Sequence, residues 1–167
     1  MIGRLLGFEA SGVVSAYLIP FPDPRGGFMD HIRVKVFPPI VTADGTIKYL
    51  QPKGSGIRLF FPRATLTMEF GGNSPLWLVE GEKKALAVAQ RGLPAAGFCG
   101  IEGWHVRGSR ELLIDFDVLR LRDRVVELAV DADVHTNVHV ERAARRSADA
   151  LRARGARPRL VVLPETP

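Results

Sequence analysis

The sequence lacks the features that mark several large classes of protein. It has a single cysteine, Cys99, in 167 residues, which excludes an intrachain disulfide and a cysteine-based zinc ribbon within these residues. No apolar run approaches the roughly 18 residues that a membrane-spanning helix needs. The N-terminal segment has no sustained apolar core or cleavage pattern of a signal peptide, and there is no Gly-Lys-Ser/Thr phosphate-binding loop. We therefore expect a cytoplasmic protein that does not enter a membrane.

The residues that are present have the composition of a globular protein. Hydrophobic residues make up 46% of the chain and charged residues 25%. The length suits one ordinary domain or two small lobes. The net charge of +5 is compatible with a polyanionic partner such as nucleic acid, although many basic proteins bind none.

The first part of the chain has the pattern of a small antiparallel β lobe. Short apolar stretches alternate with turn residues, and "HIRVKVF", residues 31–37, alternates strictly with the period of a half-buried strand. Asp44-Gly45 is a hairpin turn signal. The apolar stretch at residues 57–62, "IRLFFP", is expected to belong to the same lobe. We place this lobe at residues 1–72, before a hinge at "FGGNSP".

From residue 73 to residue 167 the pattern changes to alternating strands and helices. We expect four strands, at residues 76–79, 95–98, 125–130 and 159–164. We expect helices at about 82–91, ended by Gly92, and at about 138–154, with Asn137 as the N-cap and Gly155 at the end. Residues 108–119 are ambiguous, either helical or irregular. The fold class is therefore α/β, a four-strand mostly parallel sheet flanked by helices and preceded by the antiparallel lobe.

Three carboxylates follow the ends of predicted strands. Glu80 comes directly after the first strand of the second lobe, and Asp131 and Asp133 follow the third. If these strands are neighbours, the carboxylates meet at one edge of the sheet, where ligands of open α/β folds bind. Carboxylates this close repel each other unless a cation lies between them, and such oxygen ligands suit Mg²⁺ or Mn²⁺. The alternative is that no metal binds here: Glu80 then belongs to an ordinary strand-to-helix turn, and the Asp-x-Asp pattern of Asp131 and Asp133 occurs by chance.

The combination of these segments resembles a known family. "LWLVEGEKKALAVAQRGLPAAG" followed by "VELAVDADVHTNVHVERAARRSADALRARGARPRLVVLP" is similar to the toprim domain of bacterial-type primases, topoisomerases and some nucleases. The preceding β-rich segment is similar to the one found before toprim in primases. The chain looks most like the toprim-like domain of unassigned function in plasmid and phage primase or replication proteins.

The resemblance implies roles for the three carboxylates. In such enzymes the residue that Glu80 matches serves as general acid or base near the metal, and the pair that Asp131 and Asp133 match coordinates Mg²⁺. The implied reaction is primase-like nucleotidyl transfer in the replication of a plasmid, phage or other mobile element. The implied partners are single-stranded DNA or another nucleic acid, nucleoside triphosphates, and a helicase or other replication protein. Two alternatives stay open: a toprim nuclease that cleaves phosphodiester bonds, and a non-catalytic nucleic-acid-binding module.

Basic and aromatic residues are candidates for nucleic-acid contacts. The basic candidates for binding phosphates of nucleic acid or nucleotide are Arg33, Lys48, Lys53, Arg58, Lys83 and Lys84. The aromatic candidates to stack on bases are Tyr17, Tyr49, Phe60 and Phe61, although the alternation assigns Phe60 or Phe61 to the core. Solvated strand and helix faces are the alternative for all of them.

Overall fold

The computed structural model describes residues 2–43, 45–69, 73–131 and 136–162. They belong to two compact units, Met1–Gly56 and Ile57–Pro167. As a division into domains, the boundary between residues 72 and 73 stays a prediction. Within the described ranges, no helix is both long and apolar enough to cross a lipid bilayer.

The first unit contains a three-stranded antiparallel sheet and one short helix. The helix α1 spans Ile2–Leu6, and the strands are β1 (Ser15–Pro22), β2 (Phe28–Thr42) and β3 (Gly45–Leu50). The strand order is β1-β2-β3. The hairpin predicted at Asp44-Gly45 joins β2 to β3, where Thr42 pairs with Gly45, while Asp44 itself lies outside the described residues.

One side of this sheet faces a small hydrophobic core. Leu6 of α1, Val34 and Val36 are completely buried together. Ile32 and Leu50 pack against them as partly buried neighbours. Val34 and Val36 are two residues apart on β2, so the alternation in the sequence places their side chains on the same side of the sheet. This confirms the antiparallel β lobe inferred from the alternating pattern.

The second unit is built on four parallel strands in the order β5-β4-β6-β7. Its elements in chain order are α2 (Arg63–Glu69), β4 (Leu76–Glu80), α3 (Glu82–Gln90), β5 (Ala95–Phe98), a 3-10 helix (Ile114–Val118), β6 (Val125–Val130), α4 (Val138–Ala153) and β7 (Arg157–Val162). Helix α3 packs on β4 and β5, and α4 packs on β6 and β7. The predicted fold class is confirmed.

The sequence patterns explain why these elements form. The central strands β4 and β6 consist mostly of buried apolar residues, as expected for parallel strands covered by helices. Helix α4 begins where Asn137 accepts a hydrogen bond from the backbone N–H of His139 at 3.0 Å, so the predicted N-cap is confirmed. The helix then buries Ala144, Ser147 and Leu151 at helical spacing.

Two local predictions differ from the structure. Residues 57–62 were expected to add a strand to the antiparallel sheet, but the described strands of that sheet are β1, β2 and β3, and Phe60 instead forms an isolated bridge to Gly97 of β5. The reason is that Leu59, Phe60 and Phe61 are all buried in succession, so the segment does not present alternating faces. Helix α2, which the pattern did not indicate, follows directly after Pro62.

Candidate functional site

The site begins where two neighbouring parallel strands end. Strands β4 and β6 are paired, with Val79 opposite Ala129. Glu80 is the last residue of β4, and Asp131 directly follows β6. The chain passes from β4 to β5 on one side and then places β6 on the other side, so the strand order reverses between β4 and β6. Glu80 and Asp131 therefore lie at the topological switch point, where open α/β sheets bind ligands.

A tight turn connects Glu80 to helix α3. Gly81 has φ of 88° and ψ of 156°, a conformation that glycine adopts without steric cost. Its backbone N–H donates a hydrogen bond to the carbonyl of Phe98 at the end of β5, at 2.8 Å. Helix α3 starts at the next residue, Glu82, whose side chain is buried. Glu80 is thus held at the N-terminal end of a helix, where backbone N–H groups favour a nearby anion.

Gly97 of β5 allows this turn to pack closely against the sheet. A Cβ atom at Gly97 would lie 2.8 Å from the carbonyl oxygen of Gly81 and 3.2 Å from the Cβ of Ala85. The first distance is shorter than any normal contact, and the atom it meets is backbone, so a side chain here must displace the turn that follows Glu80.

Substitution of Gly97 by alanine is expected to lower the free energy of unfolding by about 1–3 kcal/mol, because it overpacks a rigid contact. Gly97→Val should lower the free energy of unfolding further, because its side chain is larger. Urea unfolding followed by tryptophan fluorescence measures this, since Trp77 and Trp104 both belong to the second unit. An unfolding midpoint equal to that of the parent in both variants would show that β5 can shift freely and would contradict the argument.

Asp131 is paired with a lysine. The ammonium group of Lys84, on α3, donates a hydrogen bond to Oδ1 of Asp131. The side chains are 39% and 48% exposed respectively, so solvent can reach this pair. The structure thus brings together two of the residues singled out from the sequence and shows that the Asp131 carboxylate already attracts a positive charge.

Two carboxylates of the site have the donor atoms that a divalent cation prefers. Carboxylate oxygens are the donors that Mg²⁺ and Mn²⁺ prefer, and Glu80 and Asp131 supply them from adjacent strand ends. Among the described residues, no three acidic, histidine or cysteine side chains come together as a metal centre. Asp133, the third predicted ligand, lies outside the described residues. The donor chemistry fits the ion, and the ligand set stays a prediction.

Arg58 has a buried carboxylate as its partner. Its guanidinium forms a bidentate ion pair with Asp115, with Nε 2.9 Å from Oδ2 and a terminal nitrogen 2.6 Å from Oδ1. The same carboxylate accepts the backbone N–H of Leu59 at 2.8 Å. The Asp115 side chain is 4% exposed and that of Arg58 is 35% exposed. This arrangement fixes the position of Arg58 and neutralises much of its charge.

The other basic candidates lie in different parts of the chain. Lys83 is exposed on α3, next to Lys84. Lys48 on β3 and Lys53 in the following turn are exposed in the first unit. Their roles in binding nucleic acid stay predictions.

Asp115 and Glu102 were not predicted from the sequence, and both organise side chains in the second unit. Asp115 holds Arg58, as described above. Glu102, in the segment after β5, accepts a hydrogen bond from Arg146 of α4, and its other oxygen lies 3.2 Å from Nε2 of His105. The only signal in the sequence was an acidic residue within each of two irregular segments, which is too common to indicate a partner.

The fold is shared with solved structures of primases. The DnaG catalytic core is 22% identical over 90% of this chain, with a TM-score of 0.59. A DNA primase domain from Pseudomonas aeruginosa is 19% identical over 99% of this chain, also with a TM-score of 0.59. A DnaG primase catalytic domain bound to single-stranded DNA matches over 90% of this chain at 21% identity, again with a TM-score of 0.59. This chain spans 45–50% of the length of these proteins, and at this identity the likeness is one of fold.

The sequence itself matches a family model. No curated protein matches the chain. The model of the domain of unknown function DUF3854 matches residues 71–167, which is more than half of the chain and includes Glu80, Asp131 and Asp133. The chain therefore belongs to the DUF3854 family.

Proposed function

We propose that this protein performs divalent-metal-dependent nucleic-acid chemistry, namely primase-like nucleotidyl transfer in the replication of a plasmid, phage or other mobile element. The observation that supports this most directly is the position of Glu80 and Asp131 at the switch point between β4 and β6. The fold likeness to the DnaG catalytic core adds support. The resemblance to plasmid and phage replication proteins in the sequence supports the biological setting.

Glu80, Asp131 and Asp133 would hold Mg²⁺ or Mn²⁺. The ion would stabilise developing charge on phosphoryl oxygens and help align the attacking and leaving groups. Glu80 is also the candidate general acid or base, since it lies at the same edge. Lys84 contributes a positive charge at Asp131 and, together with Lys83, would neutralise phosphate oxygens approaching the N-terminal end of α3.

The proposed partners are single-stranded DNA or another nucleic acid and nucleoside triphosphates. Lys48, Lys53 and Arg58 are the further candidates for phosphate contacts. Arg58 is the most firmly positioned of them because Asp115 binds it through two hydrogen-bonded nitrogens, but the same carboxylate neutralises much of its charge. One structural neighbour is a primase catalytic domain bound to single-stranded DNA, which supports this choice of partner. A helicase or another replication protein would complete the machinery.

One observation favours a second candidate function, a non-catalytic nucleic-acid-binding module. The Lys84 ammonium forms an ion pair with the Asp131 carboxylate. A site stabilised in this way would keep its fold and its binding surfaces without catalysis. A third candidate function is a toprim nuclease that uses the same carboxylates. The experiment below distinguishes these three functions from one another.

Primer synthesis on single-stranded DNA with labelled nucleotides tests the proposal. We expect labelled product with Mg²⁺ or Mn²⁺ and none after chelation of the metal. Degradation of the template in place of synthesis would assign the chain to the nuclease class. Neither product nor degradation, with the protein folded by circular dichroism, would contradict the proposal for this chain acting alone.

A further inference from the structure

The three-stranded sheet of the first unit has a second side, opposite its hydrophobic core. The strand register pairs Tyr17 with Lys35 and Lys35 with Tyr49. Residues directly opposite each other in neighbouring strands project to the same side, so these three form a row across the sheet. Adjacent strands are separated by slightly less than 5 Å, which places the two tyrosine Cα atoms about 10 Å apart.

Two more residues extend this row along β2. Arg33 and Phe37 lie two positions before and after Lys35, and therefore on the same side of the sheet. The guanidinium carbon of Arg33 is 4.5 Å from the centre of the Tyr49 ring. The Lys35 ammonium is 5.2 Å from the centre of the Phe37 ring. We call this surface the aromatic–basic face; it consists of Tyr17, Arg33, Lys35, Phe37 and Tyr49.

The aromatic rings of this face are not needed for the core of the first unit. That core lies on the other side, where Val34 and Val36 are completely buried. Tyr17 is 55% exposed and Phe37 is 42% exposed. On the same side of the sheet, Ile19, which is opposite Arg33, is buried, so only the part of this side around Tyr17 and Phe37 meets water. A sheet surface that meets water is normally polar. Exposed rings interleaved with cations indicate a binding surface for an anionic partner that has flat groups.

We infer that the aromatic–basic face binds single-stranded nucleic acid, with bases stacking on the rings and on the Arg33 guanidinium plane while the cations neutralise phosphates. This rests on the proposed function, and it adds a surface separate from Glu80 and Asp131. A single strand is favoured over a duplex because its bases can leave their own stack and lie against a protein ring. Stacking of this kind tolerates any base, so binding is expected to depend weakly on sequence.

Fluorescence anisotropy of a labelled oligothymidylate with the full chain tests the inference. The double variant Tyr17→Leu, Tyr49→Leu retains bulk but loses both rings, and we expect it to bind at least roughly tenfold more weakly. The variant Tyr17→Phe, Tyr49→Phe retains the rings and should bind within about twofold of the parent. The double variant Arg33→Gln, Lys35→Gln should neutralise roughly one to two fewer phosphates. The slope of the logarithm of the binding constant against the logarithm of the salt concentration should become shallower by a corresponding amount.

The matched control is Phe28→Leu, which removes an exposed ring at the start of β2, outside the aromatic–basic face. It should bind as the parent does, and circular dichroism should show all variants folded. Leucine variants that bind the oligonucleotide as tightly as the parent would overturn the inference. So would a parent that binds no single strand, or a parent that uses this face to self-associate in sedimentation and loses that association in the leucine variant.

Failure of this inference can be told apart from failure of the proposed function. A parent that binds the oligonucleotide through the aromatic–basic face but makes no primer contradicts only the proposed synthesis. A parent that makes primer while its leucine variants bind normally contradicts only the inference.

Discussion

Replacing Asp131 by asparagine is expected to reduce metal-dependent primer synthesis at least about 100-fold. Asparagine preserves the shape of the side chain but removes the negative charge that would hold the cation. The fold should tolerate the change, because the ion pair with Lys84 is solvent-accessible and such pairs contribute about 0–1 kcal/mol. Incorporation of labelled nucleotide at a fixed metal concentration measures the effect, and urea unfolding verifies stability.

Asp149 provides a matched control for this experiment. It is an exposed aspartate of α4 that is paired with Arg152, in the same kind of surface ion pair as Asp131 with Lys84. Asp149→Asn should therefore synthesise primer at the rate of the parent. Equal activity of the parent and Asp131→Asn would show that Asp131 is not a metal ligand in the reaction.

Asp115→Ala is expected to lower the free energy of unfolding of the second unit by about 2–4 kcal/mol. The alanine would leave the Arg58 guanidinium without its carboxylate and the N–H of Leu59 without its acceptor. Removing one partner of a buried ion pair is more damaging than losing an exposed one, since the remaining groups cannot all be hydrated. A loss in free energy of unfolding as large as that seen for fully buried ion pairs is not expected, because the Arg58 side chain is 35% exposed and solvent can hydrate part of it.

Asp117→Ala is the comparison for that measurement. Asp117 lies in the same 3-10 helix but is exposed, and it pairs with Arg154 at the surface. Its loss should cost at most about 1 kcal/mol. Urea unfolding monitored by tryptophan fluorescence reports on the second unit, which contains both tryptophans. If Asp115→Ala and Asp117→Ala unfold at the same urea concentration, the buried pair does not stabilise this unit.

Much of the second unit could be predicted because its elements have local signals at both ends. Asn137 caps α4, Gly81 and Gly92 flank α3, and the strands are short apolar runs. The segment at residues 57–62 could not be assigned correctly. Its apolar run favours a strand, but whether a strand joins one sheet or another depends on contacts far away in the sequence, here with Gly97.

In the candidate site too, contacts between residues that are far apart in the sequence could not be predicted from local patterns. Adjacent parallel strands explain why the positions of Glu80 and Asp131 were predictable from strand ends alone. The partners of individual charges were not predictable. Arg58 and Asp115 are 57 residues apart, and Lys84 and Asp131 are 47 apart. Nothing in the local sequence indicates such pairs, because they depend on where whole elements pack.

The isolated bridge at Phe60 also bears on whether a further strand can add to the edge of the parallel sheet. Phe60 and Gly97 exchange two backbone hydrogen bonds of 2.8 Å, which occupy the outer edge of β5 at that point. At the opposite edge, β7 contains Pro158, which has no N–H to donate, between the exposed Arg157 and Arg159. Proline and charge on an edge strand oppose edge-to-edge pairing between molecules. Among the described residues, strand addition to the parallel sheet is therefore opposed at Gly97 on one edge and at Pro158 on the other.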